Sequence, residues 1–283
     1  MKVSYSWEDY KIIKASNGLK LEKWKDITLL RPDPIVIWNN GNLKNEKYDA
    51  IYHRSSSGGG YWENINNIPS SWQVKYKNLT FNIKQMGFKH TGLFPEQAIN
   101  WDRMIDKIKN SQKEIKVLNL FAYTGGATVA CLSAGASVTH VDSSKGMNEW
   151  AKENVKSSGL ENKSVRFLVD DVVKFVEREI RRNNKYDAII MDPPSYGRGP
   201  NKEVWKLENN LKELIDSVKD ILADDFAFVL INSYTTGFSQ FSLNNLLRLS
   251  FKDYKIVTGE IGLPICENNL VLPCGVYGKI TRD

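Results

Sequence analysis

Three apolar, strand-like runs in this chain end in acids. Val138-Thr139-His140-Val141 is followed by Asp142, Val165 to Val169 by Asp170-Asp171, and Ala188-Ile189-Ile190-Met191 by Asp192. Acids at the carboxyl ends of parallel strands point into the crevice where an open α/β sheet binds its ligand. An earlier run, Val117-Leu118-Asn119-Leu120, leads instead into Phe121-Ala122-Tyr123-Thr124-Gly125-Gly126 and then a helix. Gly125 and Gly126 permit close backbone approach, and the helix start that follows favours a carboxylate. A ligand with a cationic sulfonium and a carboxylate suits such a turn. The bland alternative is an ordinary glycine-containing turn between strand and helix.

Each acid has a chemical use. Asp142 stands 17 residues after Gly125 and can accept hydrogen bonds from both hydroxyls of a ribose. Asp142 and Ser143 also favour capping the helix that begins near Lys145. Asp171, with the Val172 backbone beside it, suits an adenine amino group better than Asp170 does. In Asp192-Pro193-Pro194-Ser195-Tyr196 the two prolines lack backbone donors and hold φ fixed. The carbonyls there stay exposed and oriented, so a carboxylate and a carbonyl form a rigid acceptor pair that can hold a base N–H for in-line attack. A nicotinamide or flavin fingerprint needs G-x-G-x-x-G, which this turn does not supply, and no Gly-Lys-Ser/Thr follows to make a phosphate loop.

Alternating strands and helices must position these residues. Helix 98–108 comes first. Strand 116–120 then leads to helix 124–134, strand 137–141 to helix 145–158, and strand 165–169 to helix 172–182. Strand 188–191 leads to a helix near 203–222, and strand 227–232 to helix 239–250. Two last strands, near 254–261 and 275–281, read as a hairpin at a sheet edge. Such alternation builds a mainly parallel sheet covered on both faces by helices. Residues 1–87 read instead as a small β-rich domain. Its strand candidates are 10–14, 26–31 and 35–38, the last ending in the turn Asn39-Asn40-Gly41-Asn42, with a further β element over 72–83. Ser55-Ser56-Ser57-Gly58-Gly59-Gly60 is the clearest flexible segment, and such loops are more often solvent loops than substrate loops.

The 283 residues suffice for a full domain plus a smaller one, divided here as 1–87 and 88–283. No apolar run reaches the roughly 18 residues of a membrane span. Met1 to Tyr10 has no apolar stretch of signal-peptide type. Cys131, Cys266 and Cys274 have neither paired nor metal-like spacing, so a reducing cytoplasm is the simplest reading and no metal is expected. Residues 1–100 carry 14 Lys+Arg against 9 Asp+Glu, most of the net +6, and five of the eight tryptophans. Cations with interleaved rings suit a nucleic acid. The alternative is a β domain with an aromatic core and solvated lysines.

The segments Asn119 to Gly126, Val141-Asp142, Asp170-Asp171-Val172 and Met191 to Tyr196 resemble those of class I S-adenosylmethionine-dependent methyltransferases. Within that class they resemble the large-subunit ribosomal RNA methyltransferase group, with its cytosine-C5 and guanine-N7 branches. Thr91-Gly92-Leu93-Phe94-Pro95-Glu96-Gln97 is similar to the segment that enters the catalytic domain in that group. The resemblance covers about residues 88–283. It implies a Rossmann-like fold with a seven-stranded sheet, S-adenosyl-L-methionine as cofactor and RNA as partner. It further implies cofactor contacts from Phe94, Gln97, Phe121, Ala122, Tyr123, Gly125, Gly126, Asp142, Ser143, Asp171, Val172 and Asp192. Asp192, Pro193, Pro194 and Tyr196 are implied at the reacting base.

One departure bears on the reaction. Methylation at cytosine C5 needs a thiolate that adds to the ring. In the cytosine branch it follows the fifth strand, where this chain reads Asn232-Ser233-Tyr234-Thr235-Thr236. A base nitrogen is therefore the expected acceptor. His140 reads as a strand residue, His53 as a loop residue, and His90 alone precedes a cofactor-proximal segment. A second reading moves the substrate to a protein side chain or small molecule, and a third makes the fold a non-catalytic binding module.

Overall fold

The computed structural model describes residues 1–55 and 59–282. Residues 56–58, the centre of the serine–glycine run, lie outside them. By internal contacts the chain forms two compact units. One comprises residues 2–98 together with 262–274; the other comprises 99–261 with 275–283. The sequence reading divides the chain at 87/88. The contact division falls at 98/99, and residues 262–274, which take in the end of one of the last two strands and the start of the other, fall with the N-terminal unit.

The N-terminal unit is β-rich. After β1 (Lys2–Val3) come β2 (Tyr10–Ser16), β3 (Leu19–Trp24), β4 (Ile27–Pro32), β5 (Ala50–Arg54) and β6 (Gly60–Asn64). The last five make one sheet in that order, with β4 and β5 parallel and the other pairs antiparallel. Asn17 and Gly18 join β2 to β3 with φ of 48° and 75°. This is the pair of left-handed residues that a tight hairpin requires. Alternation along the strands buries Leu21, Leu30 and Ile51 with Leu43. A separate hairpin pairs β7 (Trp72–Tyr76) with β8 (Leu79–Ile83). Tyr10, Trp24, Tyr52, Tyr76 and Phe81 are all buried, so these rings build the core. The nucleic-acid reading of the aromatics loses that part of its support.

Two expectations fail in this unit. Residues 35–38 form no strand. Pro34 withholds a donor and Asp33 turns the chain, so Val36 and Trp38 carbonyls cap the β2–β3 turn through the Gly18 and Asn17 amides at 2.7 and 2.8 Å. His53 lies within β5, not in a loop, and pairs with Glu63 at 2.6 Å. The unit also encloses charge. Fully buried Glu22 accepts from Arg31 Nε at 2.5 Å, Arg31 Nη2 at 2.9 Å and Tyr10 Oη at 2.6 Å. Burial pushes its carboxyl up, but Arg31, Lys20 and these hydrogen bonds hold it down at about 2.

The second unit is the expected α/β sheet. Its elements are α1 (Ala98–Lys109), β9 (Lys116–Leu120), α2 (Gly126–Ser133), β10 (Ser137–Asp142), α3 (Lys145–Ser157), β11 (Val165–Val169), α4 (Val172–Arg181) and β12 (Ala188–Met191). They continue as β13 (Tyr196–Arg198), β14 (Val204–Lys206), α5 (Leu207–Lys219), β15 (Phe228–Ser233), α6 (Gln240–Ser250), β16 (Lys255–Pro264) and β17 (Val271–Thr281). The sheet order is β16-β17-β15-β12-β9-β10-β11. The five strands β15, β12, β9, β10 and β11 are parallel, and β17 runs antiparallel to β15. β12 is buried throughout, as the central strand of a sheet covered on both faces must be. Its Ile189 and Met191 join Phe175, Leu211, Leu214, Ile215, Val229 and Leu247 in one core.

Helix α5 begins at Leu207, not near Glu203. The residues ahead of it make the β13–β14 hairpin, turned by Gly199-Pro200-Asn201. Pairing of Val204–Lys206 with Tyr196–Arg198 keeps these residues out of the helix.

Candidate active site

Chain order determines where a ligand can sit. From β9 the chain moves outward through β10 and β11, then crosses back to β12 on the other side of β9. Strand order reverses between β9 and β12, and ligands bind at the carboxyl ends of strands at such a switch. The register aligns Leu120 with Val141 on one side and with Met191 on the other. Phe121, Asp142 and Asp192 therefore follow at the same level, while Asp170 and Asp171 rise one and two steps beyond on β11.

The turn after β9 is strained. Phe121 and Tyr123 adopt φ of 53° and 51°, and Gly125 adopts 80°. Left-handed backbone costs a non-glycine residue about 1–2 kcal/mol, and such strain concentrates at functional sites. Side chains and amides from neighbouring elements hold the turn. Asp142 Oδ2 accepts the Tyr123 amide at 2.8 Å, the Ala122 amide donates to the Val141 carbonyl at 3.1 Å, and Asn154 Nδ2 donates to the Thr124 carbonyl at 2.8 Å. Behind it, buried Asn119 donates to Thr128 Oγ1 at 3.0 Å, and Thr128 meets His140 Nδ1 at 2.9 Å. Burial pushes the His140 imidazole down to about 3, so it is a neutral strand residue.

The two glycines serve packing as well as any ligand. A Cβ on Gly125 would lie 2.9 Å from Ala151 Cβ of α3, and one on Gly126 2.9 Å from the Trp101 ring. Close approach of protein, not ligand alone, requires glycine at both positions.

Asp142 is half-buried. Its Oδ1 accepts the Ser144 amide at 2.9 Å, and burial pushes its carboxyl up against these two backbone hydrogen bonds. Each oxygen retains a further acceptor site, so two ribose hydroxyls can still be met. Capping of α3 falls to Ser144, whose Oγ accepts the Met147 amide at 3.4 Å, and not to Asp142 or Ser143. Asp170 is ion-paired with Arg178. Asp171 caps α4, with Oδ1 taking the Lys174 amide at 3.0 Å, so Oδ2 is the oxygen that caps nothing. Val172 is the first residue of α4, where a backbone N–H lacks an intrahelical acceptor.

Asp192 is half-buried and Pro193 buried at the end of β12. The Pro194 carbonyl accepts Trp205 Nε1 at 2.7 Å. The Trp205 ring also packs on Phe121, centroids 4.9 Å apart. Ser195 Oγ meets Thr235 Oγ1 beyond β15 at 2.7 Å. Tyr196 is 52% exposed. The hydrogen-bond partners of Trp205 and Thr235, and the buried pair Asn100–Asn232 joined at 3.0 Å, were not legible in the sequence. Gly199-Pro200-Asn201 was a usable turn signal for the hairpin that carries Trp205. Phe94 and Gln97 belong to the N-terminal unit, around the short turn Pro95–Gln97. So does His90, whose imidazole burial and nearby Arg31 push down to about 4. Cys131 is buried in α2.

The donor set fits S-adenosylmethionine. An acid with acceptor sites for a ribose, a second acid beside an orphan amide for an adenine, and unpaired first-turn amides of α2 for a carboxylate lie along one sheet end. Among the described residues, no group of three His, Cys, Asp or Glu could hold a metal ion.

Comparison with known proteins agrees with this geometry. Residues 46–243 match the family model described as S-adenosylmethionine-dependent methyltransferase. Over the whole chain the fold matches the crystal structure of the SAM-dependent methyltransferase from Agrobacterium tumefaciens. That protein is 31% identical, with 100% of this chain and 93% of that one covered and a TM-score of 0.94. The ribosomal RNA large subunit methyltransferase K/L of Shewanella frigidimarina is 30% identical over 155 residues, 54% of this chain and 21% of that protein. The protein of the same name from Buchnera aphidicola is 28% identical over 198 residues, 69% of this chain and 27% of its own length. This chain thus spans only about a fifth to a quarter of those two relatives. With the donor set at the carboxyl end of the sheet and the family match in agreement, this chain belongs to the S-adenosylmethionine-dependent methyltransferases.

Proposed function

We propose that this methyltransferase acts on RNA, at a nitrogen of a base, and that it does so in the cytoplasm. The observation that carries the proposal is the level register of Asp192-Pro193-Pro194 with Phe121 and Asp142, which sets a rigid acceptor corner beside the cofactor turn. The names of the relatives, ribosomal RNA methyltransferases, support RNA as the substrate. Asn232-Ser233-Tyr234-Thr235-Thr236, at the end of β15 and just beyond it, offers no thiolate for addition to a ring carbon, which supports nitrogen.

The cofactor, when bound, supplies an electrophilic methyl group on a sulfonium. The residues of this chain do the positioning. Asp192 accepts an N–H of the base at its carboxylate and receives that proton as the nitrogen is alkylated. The Pro193 carbonyl is the second acceptor. The Trp205–Pro194 hydrogen bond keeps this corner from shifting, and misplacement by an ångström is costly in an aligned displacement. The proposed cofactor contacts of Phe94 and Gln97 rest on motif resemblance alone.

The test is methyl transfer from tritiated S-adenosylmethionine to total RNA taken from a strain lacking the gene. Label in one RNA fraction, released as an N-methylated base on digestion, is expected. No label in any RNA fraction rejects the proposal.

A further inference from the structure

We propose that the outward face of the β13–β14 hairpin is a docking surface for a single-stranded stretch of the substrate RNA beside the target base. This rests on the RNA reading above and adds the surface that holds the strand.

The hairpin has two different faces. Pairing is Tyr196 with Lys206, Gly197 with Trp205, and Arg198 with Val204. Directly paired residues share a face and neighbours along a strand alternate. Trp205 therefore points one way, and it is buried. Tyr196, Arg198, Val204 and Lys206 point the other way, and all four are exposed. Tyr196 and Val204 are 52% and 51% exposed, a high value for apolar residues on one small ribbon. Lys202 adds a third cation at the exposed turn.

Charge complementarity selects the occupant. Residues 196–206 hold three cations and one acid, Glu203. Glu203 is already neutralised by Lys174 of α4 at 2.6 Å. Among the described residues Arg198, Lys202 and Lys206 make no ion pair. The hairpin therefore presents three uncompensated cations around one exposed phenol ring. Cations that track phosphates beside a ring that stacks on a base are what a single strand requires. A duplex offers no unstacked base to the ring.

The hairpin is fixed to the site. Its first strand starts four residues after Asp192, Trp205 bonds the Pro194 carbonyl, and its ring packs on Phe121. At the other end, a Cβ on Gly199 would lie 2.9 Å from Asp171 Oδ2. The inner face thus touches the acceptor corner, the cofactor turn and the proposed adenine acid. An RNA strand on the outer face would be held at a defined distance from all three.

The test uses the full chain and the variant R198A/K202A/K206A. The probe is a labelled mixed-sequence RNA of about twelve nucleotides, single-stranded and as a duplex, titrated over a range of salt. The wild type should prefer the single strand. The variant should lose at least about tenfold in affinity, and its slope of log K against log salt should flatten by about 2, at about 0.7 per phosphate contact. Binding of S-adenosylhomocysteine should match wild type, which reports an intact fold. The variant R198K/K202R/K206R should restore affinity and slope, and persistent loss there would overturn the proposal. If the alanine variant binds RNA like wild type while wild type methylates RNA, the docking surface is rejected and the RNA reading stands. If wild type methylates no RNA, both are rejected. If polyglutamate competes for the same three cations and the RNA slope does not change between proteins, the surface serves an acidic polypeptide and the proposal falls.

Discussion

Asp142 Oδ2 accepts the backbone amide of Tyr123 at 2.8 Å. That one contact links the end of β10 to the strained turn after β9. It fixes the carboxylate and stabilises a left-handed residue with φ of 51°. The acid read as a ribose ligand is also part of what shapes the neighbouring turn.

Asp142→Asn tests both roles. The amide retains the shape but loses the charge, and because both Asp142 oxygens accept backbone amides its NH2 must face one of those N–H groups. Affinity for S-adenosylhomocysteine should fall by about tenfold to a hundredfold, roughly 1.4–3 kcal/mol. Calorimetry would measure it, and an unchanged Kd would remove Asp142 from the ribose. Because burial raises its carboxyl, the acid limb of cofactor binding should begin at a higher pH than an unperturbed aspartate would set. Protonation, favoured in the folded chain, withdraws the charge that the hydroxyls need.

Trp205→Phe separates geometry from binding. The ring still packs on Phe121, but the Nε1 hydrogen bond to Pro194 is lost. kcat should fall about fivefold to tenfold, near the 1 kcal/mol of one hydrogen bond, with little change in cofactor Kd. A drop in cofactor affinity with kcat unchanged would place Trp205 in cofactor binding instead.

Gly125→Ala should destabilise the chain by about 1–3 kcal/mol. The substitution adds a left-handed φ penalty and a 2.9 Å contact with Ala151 Cβ. Ala151→Gly in the same chain should relieve only the contact. Urea unfolding of the two variants would show partial recovery; complete recovery would mean that the φ of 80° carries no strain.

Glu22→Gln leaves Arg31 buried without its counter-charge, a change that typically costs about 3–5 kcal/mol. The Glu22 carboxyl lies at about 2, below its ordinary 4.5. Its stabilisation is therefore present above about 4.5 and lost as pH falls toward 2. Acid unfolding should lose that component in the variant. Identical stability profiles between pH 5 and about 2 in both proteins would sink the prediction.

The α/β part was legible because its signals are local. Apolar runs of strand length and acids at their ends placed β9, β11 and β12 as observed. Residues 35–38 show the opposite case, since four β-branched or aromatic side chains could not override Asp33-Pro34. The hairpin before α5 was missed because two three-residue strands leave no periodic trace. Trp205 then looked like a helix residue, whereas the fold bonds it to Pro194.

Sequence alone determined the order of the chemical parts: the glycine turn, the three acids after it and the double proline. Those follow from residue type and spacing along one strand or one helix start. Which of their atoms already have partners was decided by tertiary structure. Asp142 takes two amides, Asp171 caps its own helix, and the Pro194 carbonyl is occupied. The physical reason is that a buried polar atom bonds whatever the fold brings within about 3 Å, and strands distant in sequence set that distance.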